Sequence, residues 1–207
     1  FFEIPSLEEK CLTAAEGETL SLGSHTLQFF MAPMVHWPEV MVEYEMTEKI
    51  LFSADGFGKF GALSTEGDWA CEARRYYFNI VGKYGSPVQK ALQKLGGLPI
   101  SVICSTHGPV WTENIPKVVG IYDKLSRYAA DEGVVIAYGS MYGNTEQMAE
   151  AIAAELSAQG IRNIVMHNVS KSNPSYILAD IFKYKGLIIA VSYTHLTLPT
   201  ICSVEIS

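Results

Sequence analysis

Between residues 18 and 55 apolar and polar positions alternate in three short runs, His25 to Met31, Val40 to Met46 and Lys49 to Ala54, with turn-forming residues between them. A period of two sends successive side chains to opposite faces, so this region predicts antiparallel strands. The period then lengthens. Glu66 to Lys83 predicts a helix, and Ser86 to Leu95 a second one, with Pro87 in its first turn and Gly96-Gly97 as its stop. Leu98 to Cys104 is a short apolar run that predicts a buried strand ending at Ser105-Thr106-His107-Gly108. From Ile115 to Asp131 the residues Val118, Ile121, Tyr122, Leu125 and Tyr128 recur at helical spacing and predict an amphipathic helix.

A junction follows at Ala129 to Gly133, and the pattern changes. Val134–Ala137 predicts a strand and Thr145–Gln159 a helix with Met148, Ile152 and Leu156 on one stripe. Arg162–Val169 predicts the next strand, Pro174–Lys183 a helix, and Gly186–Val191 a third strand. This β-α-β-α-β order is the opening half of a doubly wound parallel sheet, whose ligands sit beyond the carboxyl ends of the strands. Ser192 to Ser207 has no helical period and does not supply the further strands such a sheet needs. It resembles translated sequencing-adapter sequence and is expected to be a non-native tail. No site residue is placed beyond Val191, and His195 is given no role.

The stretch VVIAYGSMYGNTEQ, Val134 to Gln147, joins the first of these strands to its helix. Its loop Ser140, Met141, Tyr142, Gly143, Asn144, Thr145 can aim backbone N–H groups, hydroxyls and an amide at one anion, at the positive end of a helix dipole. It lacks the lysine of a nucleotide-triphosphate loop and the G-x-G-x-x-G of dinucleotide folds, so one phosphate monoester is the best guest. The bland reading is a glycine-rich turn capped by Asn144 or Thr145. S/T-x-x-G-N-T in this setting resembles the FMN-phosphate loop of flavodoxins.

The bulk properties narrow the classes. Of 207 residues 48% are hydrophobic and 18% charged, which is a globular balance. A net charge of −7 without a basic cluster argues against nucleic acid or an anionic membrane as partner. No run reaches membrane-spanning length, and no secretory signal follows Phe1. Cys11, Cys71, Cys104 and Cys202 are scattered without a C-x-x-C, which fits reduced thiols and a cytoplasmic setting.

In the first half three candidate ligands stand at predicted strand ends: His36 in APMVHWPEV, Asp55 in LFSADGFGKF and His107 in ICSTHGPVW. Rigid scaffolds present ligands from such positions. Singly, each is more often a surface or satisfied core residue. Their order and flanks resemble the second half of the metallo-β-lactamase-type domain used by flavodiiron proteins. With the flavodoxin-type loop behind it the resemblance covers residues 1–190. The implied fold class is α/β: the C-terminal part of a metallo-β-lactamase-like αβ/βα domain (1–130, incomplete at its N-terminus), then the first half of a flavodoxin-like domain (133–191), then the tail (192–207).

The resemblance implies that Asp55 bridges two irons and that His36 and His107 each serve one. Imidazole and carboxylate suit non-haem iron, without the thiolates that select softer metals. It also places a tyrosine from Tyr76 and Tyr77 near the irons, against the reading that one packs inward and one outward. Trp37, Trp111 and Phe57 are candidates to wall the metal pocket, though such aromatics are more often core. His25 and His167 read as structural. The family's remaining ligands lie in an upstream H-x-E-x-D motif, which does not occur before His36. The chain therefore reads as truncated at both ends, holding its irons weakly or not at all and inactive by itself.

The implied activity is an oxidoreductase in which FMN takes electrons from a rubredoxin or an NADH-linked reductase and the di-iron site reduces oxygen to water or nitric oxide to nitrous oxide. The implied working unit is a head-to-tail homodimer. Two other readings compete: a zinc hydrolase of metallo-β-lactamase fold, and a flavodoxin-type electron carrier without metal catalysis.

Overall fold

The computed structural model describes residues 9, 11–64 and 67–191, and the backbone of 201–205. The chain divides into two compact units, residues 1–58 with 86–123, and 59–85 with 124–207. The linear division at residues 130–133 is therefore crossed by a helical segment that groups with the second unit.

The first unit is built on a six-stranded sheet in the order β1-β2-β3-β4-β5-β6. Its strands are β1 (Thr19–Ser21), β2 (Thr26–Met31), β3 (Met41–Glu45), β4 (Ile50–Phe52), β5 (Val102–Cys104) and β6 (Val110–Trp111). All neighbours are antiparallel except β4 and β5, which run parallel. The alternation read from the sequence holds for β2 to β4, while β6, two residues long, is too short to show a period. Phe29, Val42, Tyr44, Leu51 and Ile103 of the sheet are buried, as are Val88 and Leu95 of α2 (Gly85–Leu95) and Val118 and Tyr122 of α3 (Ile115–Ser126). The buried Tyr44 hydroxyl donates to Pro99 O at 2.8 Å and ties β3 to the approach to β5.

The second unit holds a four-stranded sheet in the order β10-β9-β7-β8. β7 (Asp131–Gly139) lies between β8 (Ile164–Asn168) and β9 (Tyr184–Val191), parallel to both. Helices α4 (Asn144–Ala158) and α5 (Pro174–Ile181) make the crossovers. Ile152 and Leu156 of the expected stripe pack against a core of Ile136, Tyr138, Ala149 and Ala190. Within the expected tail, residues 201–205 form β10, an antiparallel strand on β9; residues 192–200, His195 included, and 206–207 lie outside the described residues.

Three expected helices are shorter than their periodicity suggested, those over 66–83, 115–131 and 174–183. The run 66–83 is an α-helix only as α1 (Trp69–Tyr76), opened by the side chain of Asp68, and becomes a π-helical turn over Tyr77–Val81 and a 3₁₀ turn over Gly82–Tyr84. At the 3₁₀ turn a side chain inserts: the Tyr128 hydroxyl donates to Gly82 O at 2.7 Å and accepts from Gly85 N at 3.2 Å, which interrupts the helical ladder there. Tyr128 can reach there because α3 ends at Ser126 and Tyr128 adopts φ +54°. A Cβ on Gly85 would stand 2.4 Å from Ser126 O, so only glycine permits this approach. The same segment packs on α5, where Asn79 Nδ2 donates to Ser175 O at 3.1 Å and Phe78 stacks on Phe182 with centroids 4.5 Å apart.

Candidate metal centre and phosphate loop

Sheet register explains why Asp55 and His107 meet. In the parallel pair, Phe52 is the partner of Cys104. Asp55 and His107 each follow by three residues, so both emerge from the carboxyl ends of adjacent strands at the same height. β2 and β3 pair with Met31 opposite Met41, and His36 sits midway along the connection between them. Because β3 is antiparallel to β4, that connection lies at the same edge of the sheet. Three residues spread over 72 positions are thus delivered to one place by pairing alone.

There His36 Nε2 lies 3.0 Å from Asp55 Oδ2, and His107 Nε2 lies 3.4 Å from Asp55 Oδ1. The carboxylate stands between two imidazoles, one on each oxygen. Its other contacts hold it in that attitude. Thr106 Oγ1 donates to Oδ1 at 2.6 Å, and Thr106 N and its hydroxyl both donate to Ala54 O. The buried Ser53 hydroxyl donates to Gly56 O at 2.8 Å and closes the turn that carries Asp55. Gly58 lets the two loops touch, since a Cβ there would fall 2.3 Å from His107 O.

The donor set suits a pair of metal ions. Two ligand atoms bound to one ion at about 2.0–2.2 Å each are separated by distances of this order. Each pair offers one nitrogen and one oxygen, the hard-to-intermediate set that suits non-haem iron or zinc. No group of three or more His, Cys, Asp or Glu side chains among the described residues is disposed to hold a single ion.

The aromatic wall is only partly formed. Phe57 is buried and packs on Tyr122 with centroids 4.7 Å apart, and Trp111 Nε1 donates to Phe57 O at 3.4 Å. Trp37 is 59% exposed with its ring 5.9 Å from that of His36, so within this unit it does not keep the site dry.

The second candidate site is the loop between β7 and α4. Gly143 stands at the helix N-cap with φ +87°, a left-handed conformation that favours glycine. The cap residue is Gly143, which has no side chain to bond the first turn, and Asn144 and Thr145 already lie inside the helix. Ser140 Oγ instead accepts from Gly143 N at 3.0 Å and folds the loop. Met141, Tyr142 and Asn144 are exposed and Thr145 is buried. A Cβ on Gly143 would meet nothing within 4 Å, so the cradle has room beside its backbone. These features fit a phosphate monoester at the end of the central strand.

Tyr76 and Tyr77 lie in the other compact unit from the candidate ligands. The inward-and-outward alternative fails: both are buried, because the π turn that begins at Tyr77 widens the helix. Burial, with the Tyr128 charge adding to it, raises the Tyr77 phenol well above its ordinary range. His25 precedes β2 and bonds Ser24 Oγ at 2.9 Å. His167 is structural as expected, but it has a partner that the sequence did not reveal. Its Nε2 lies 3.0 Å from Asp180 Oδ2, and Arg74 lies 3.8 Å from Asp180 Oδ1. Thr106 was likewise missed as a support for Asp55; its position beside His107 in S-T-H-G was the available signal. Cys11, Cys71 and Cys104 are free thiols.

Comparison with known proteins agrees with both halves. Residues 1–108 match the family model described as ODP family beta lactamase, and residues 136–197 match that of flavodoxin. An uncharacterized protein of Methanocaldococcus jannaschii is 32% identical over 179 residues, 84% of this chain and 45% of the relative. The anaerobic nitric oxide reductase flavorubredoxin of Escherichia coli is 32% identical over 187 residues, 85% of this chain and 39% of the relative. Among solved structures, rubredoxin oxygen:oxidoreductase of Desulfovibrio gigas superposes with a TM-score of 0.79 at 30% identity, over 86% of this chain and 47% of that one. The flavodiiron protein of Giardia intestinalis gives 0.78 at 28% identity, over 83% and 44%.

The fold class is therefore a β-lactamase-like α/β half followed by a flavodoxin-like parallel sheet. The chain belongs to the ODP β-lactamase family, with a flavodoxin match behind that domain, the same pairing to which its flavodiiron neighbours are similar. It spans less than half the length of the curated relatives named here.

Proposed function

We propose that the complete protein is a flavodiiron oxidoreductase that reduces oxygen to water, nitric oxide to nitrous oxide, or both, and that this chain carries three of its metal ligands and its FMN-phosphate loop. One observation carries the reading: the Asp55 carboxylate stands between two imidazoles, one on each oxygen, in the same polypeptide as a glycine-turned loop that leaves a helix N-terminus without a side-chain cap. A hydrolase of this fold has no use for the loop, and a simple electron carrier has no use for the carboxylate.

FMN would supply one-electron transfer, and a pair of irons would supply binding and reduction of the diatomic gas. The protein's own part is to hold and orient both. Asp55 would be the ligand the two ions share, with His36 on one and His107 on the other, and Thr106 fixes the carboxylate through Oδ1. Ser140, Asn144, Thr145 and the backbone of Met141 to Gly143 hold the phosphate. Tyr76 and Tyr77 are retained as candidate hydrogen-bond donors to the bound gas on the resemblance alone; a raised phenol keeps its proton and stays a donor. The electron donor is a rubredoxin or an NADH-linked reductase, the working unit a head-to-tail homodimer, and the compartment the cytoplasm. No helix among the described residues is long and apolar enough to cross a membrane.

Absorbance and metal analysis of the intact parent, expressed in iron-replete cells, test the proposal. Flavin bands together with iron are the expected result. Zinc without flavin would point to a hydrolase, flavin without metal to a carrier, and a colourless protein that releases no flavin would end the proposal.

A further inference from the structure

The first compact unit contains a partly open apolar cavity of about 270 Å³ bounded by Leu51 of β4, Phe57, Leu92 and Leu95 of α2, and Ile115 and Val119 of α3. None of the ten residues lining it has a polar side chain. Water is stabilised in a cavity only where it finds two to four polar partners, and an apolar cavity of about 150 Å³ can stay dry and take up xenon. No charged or strongly hydrogen-bonding ligand would leave water for such walls. The contrast with the second unit is plain: its cavity beside Arg75 is lined by Lys59, Asp68 and Glu72 and suits ions.

The apolar cavity is joined to the candidate metal centre through one loop, since Phe57 lines it and Asp55 lies two residues earlier. Leu51 is fully buried on the strand that delivers Asp55 four residues later. Phe57 lies two residues beyond Asp55, lines the cavity, and is fixed by Tyr122 on its ring and Trp111 on its carbonyl.

We propose that this cavity is a holding site for an uncharged diatomic gas, oxygen or nitric oxide, beside the metal centre. The inference rests on the reading that the complete enzyme reduces such a gas. Either molecule lacks net charge, hydrogen-bonds weakly and partitions from water into apolar surroundings, so the walls select for it by excluding everything more polar.

Methyl-labelled, chelator-treated 207-residue chain under oxygen pressure, with nitrogen pressure as the reference, provides the test. Dissolved oxygen is paramagnetic and speeds the relaxation of nuclei where it resides. The methyls of Leu51 and Leu95 are expected to show severalfold larger enhancements than the equally buried methyls of Val42 and Val135. Val119→Phe, which fills the cavity, is expected to bring them down to that background while the rest of the spectrum keeps its dispersion. Leu92→Phe serves the same purpose if the first variant does not fold. Cavity methyls no more enhanced than Val135, or enhancements unmoved by either filling variant, would overturn the proposal. Absence of flavin or iron from the intact parent would instead count against the proposed function and leave the oxygen readout standing.

Discussion

Asp55 can serve two partners because its neighbours leave it little freedom. Thr106 donates to the oxygen that faces His107, so Thr106→Val removes a charge-assisted hydrogen bond from a half-buried carboxylate. The expected loss is about 1 kcal/mol of stability at this partly exposed site, read from urea melts, together with a roughly tenfold weaker affinity for a titrated divalent metal. Gly58→Ala is harsher. The new methyl meets the backbone carbonyl of His107, which no rotamer change can move, so the variant should lose about 1–3 kcal/mol and shift the His107 imidazole signals in NMR while leaving those of His25 in place. Gly143→Ala is the control: it has open space and only its left-handed backbone to strain, at a cost of about 1 kcal/mol.

At the scale of elements, the turn between β3 and β4 depends on one charge. Glu45 is buried at the end of β3 and accepts N–H bonds from Glu48 at 2.6 Å and Thr47 at 2.9 Å. Burial pushes its carboxyl up, but the bonds from Glu48, Thr47 and Thr26 outweigh it and hold the group at about 2, against an ordinary value of 4.5. A carboxyl depressed in the folded state stabilises fully above its unfolded value and loses that contribution as pH falls towards the folded one. The urea midpoint should therefore drop between about pH 4.5 and 2 in the native protein, and Glu45→Gln should flatten that part of the curve.

The strands around this turn were legible because alternation is a local signal, as were the β-α-β-α-β order and the α2 stop at Gly96. The break in the ladder at Gly82 was not, because the hydroxyl that enters it comes from Tyr128, 46 residues away. The same holds for the partner of His167, whose aspartate comes from a helix that the sequence places but cannot dock. His36, Asp55 and His107 were legible as types at strand ends. Their meeting depends on the parallel register of β4 and β5, which no single-strand pattern encodes.

For the whole molecule the decisive quantity is how many ligands each ion would find. One imidazole and one carboxylate oxygen per ion is half of even a four-coordinate shell, and no third His, Cys, Asp or Glu among the described residues completes either half. This chain spans 45% and 39% of the two curated relatives. This chain, reconstituted anaerobically with ferrous iron and passed through a desalting column, should keep far fewer than two irons. FMN binding is set by a different unit and should not follow the metal: flavin fluorescence quenching should be the same before and after iron is added. Two irons retained per chain through the column would mean that ligands outside the His36–Asp55–His107 group complete the centre, and the half-shell account would fall. Quenching that appeared only with iron would show that the two units bind their groups as one, not separately.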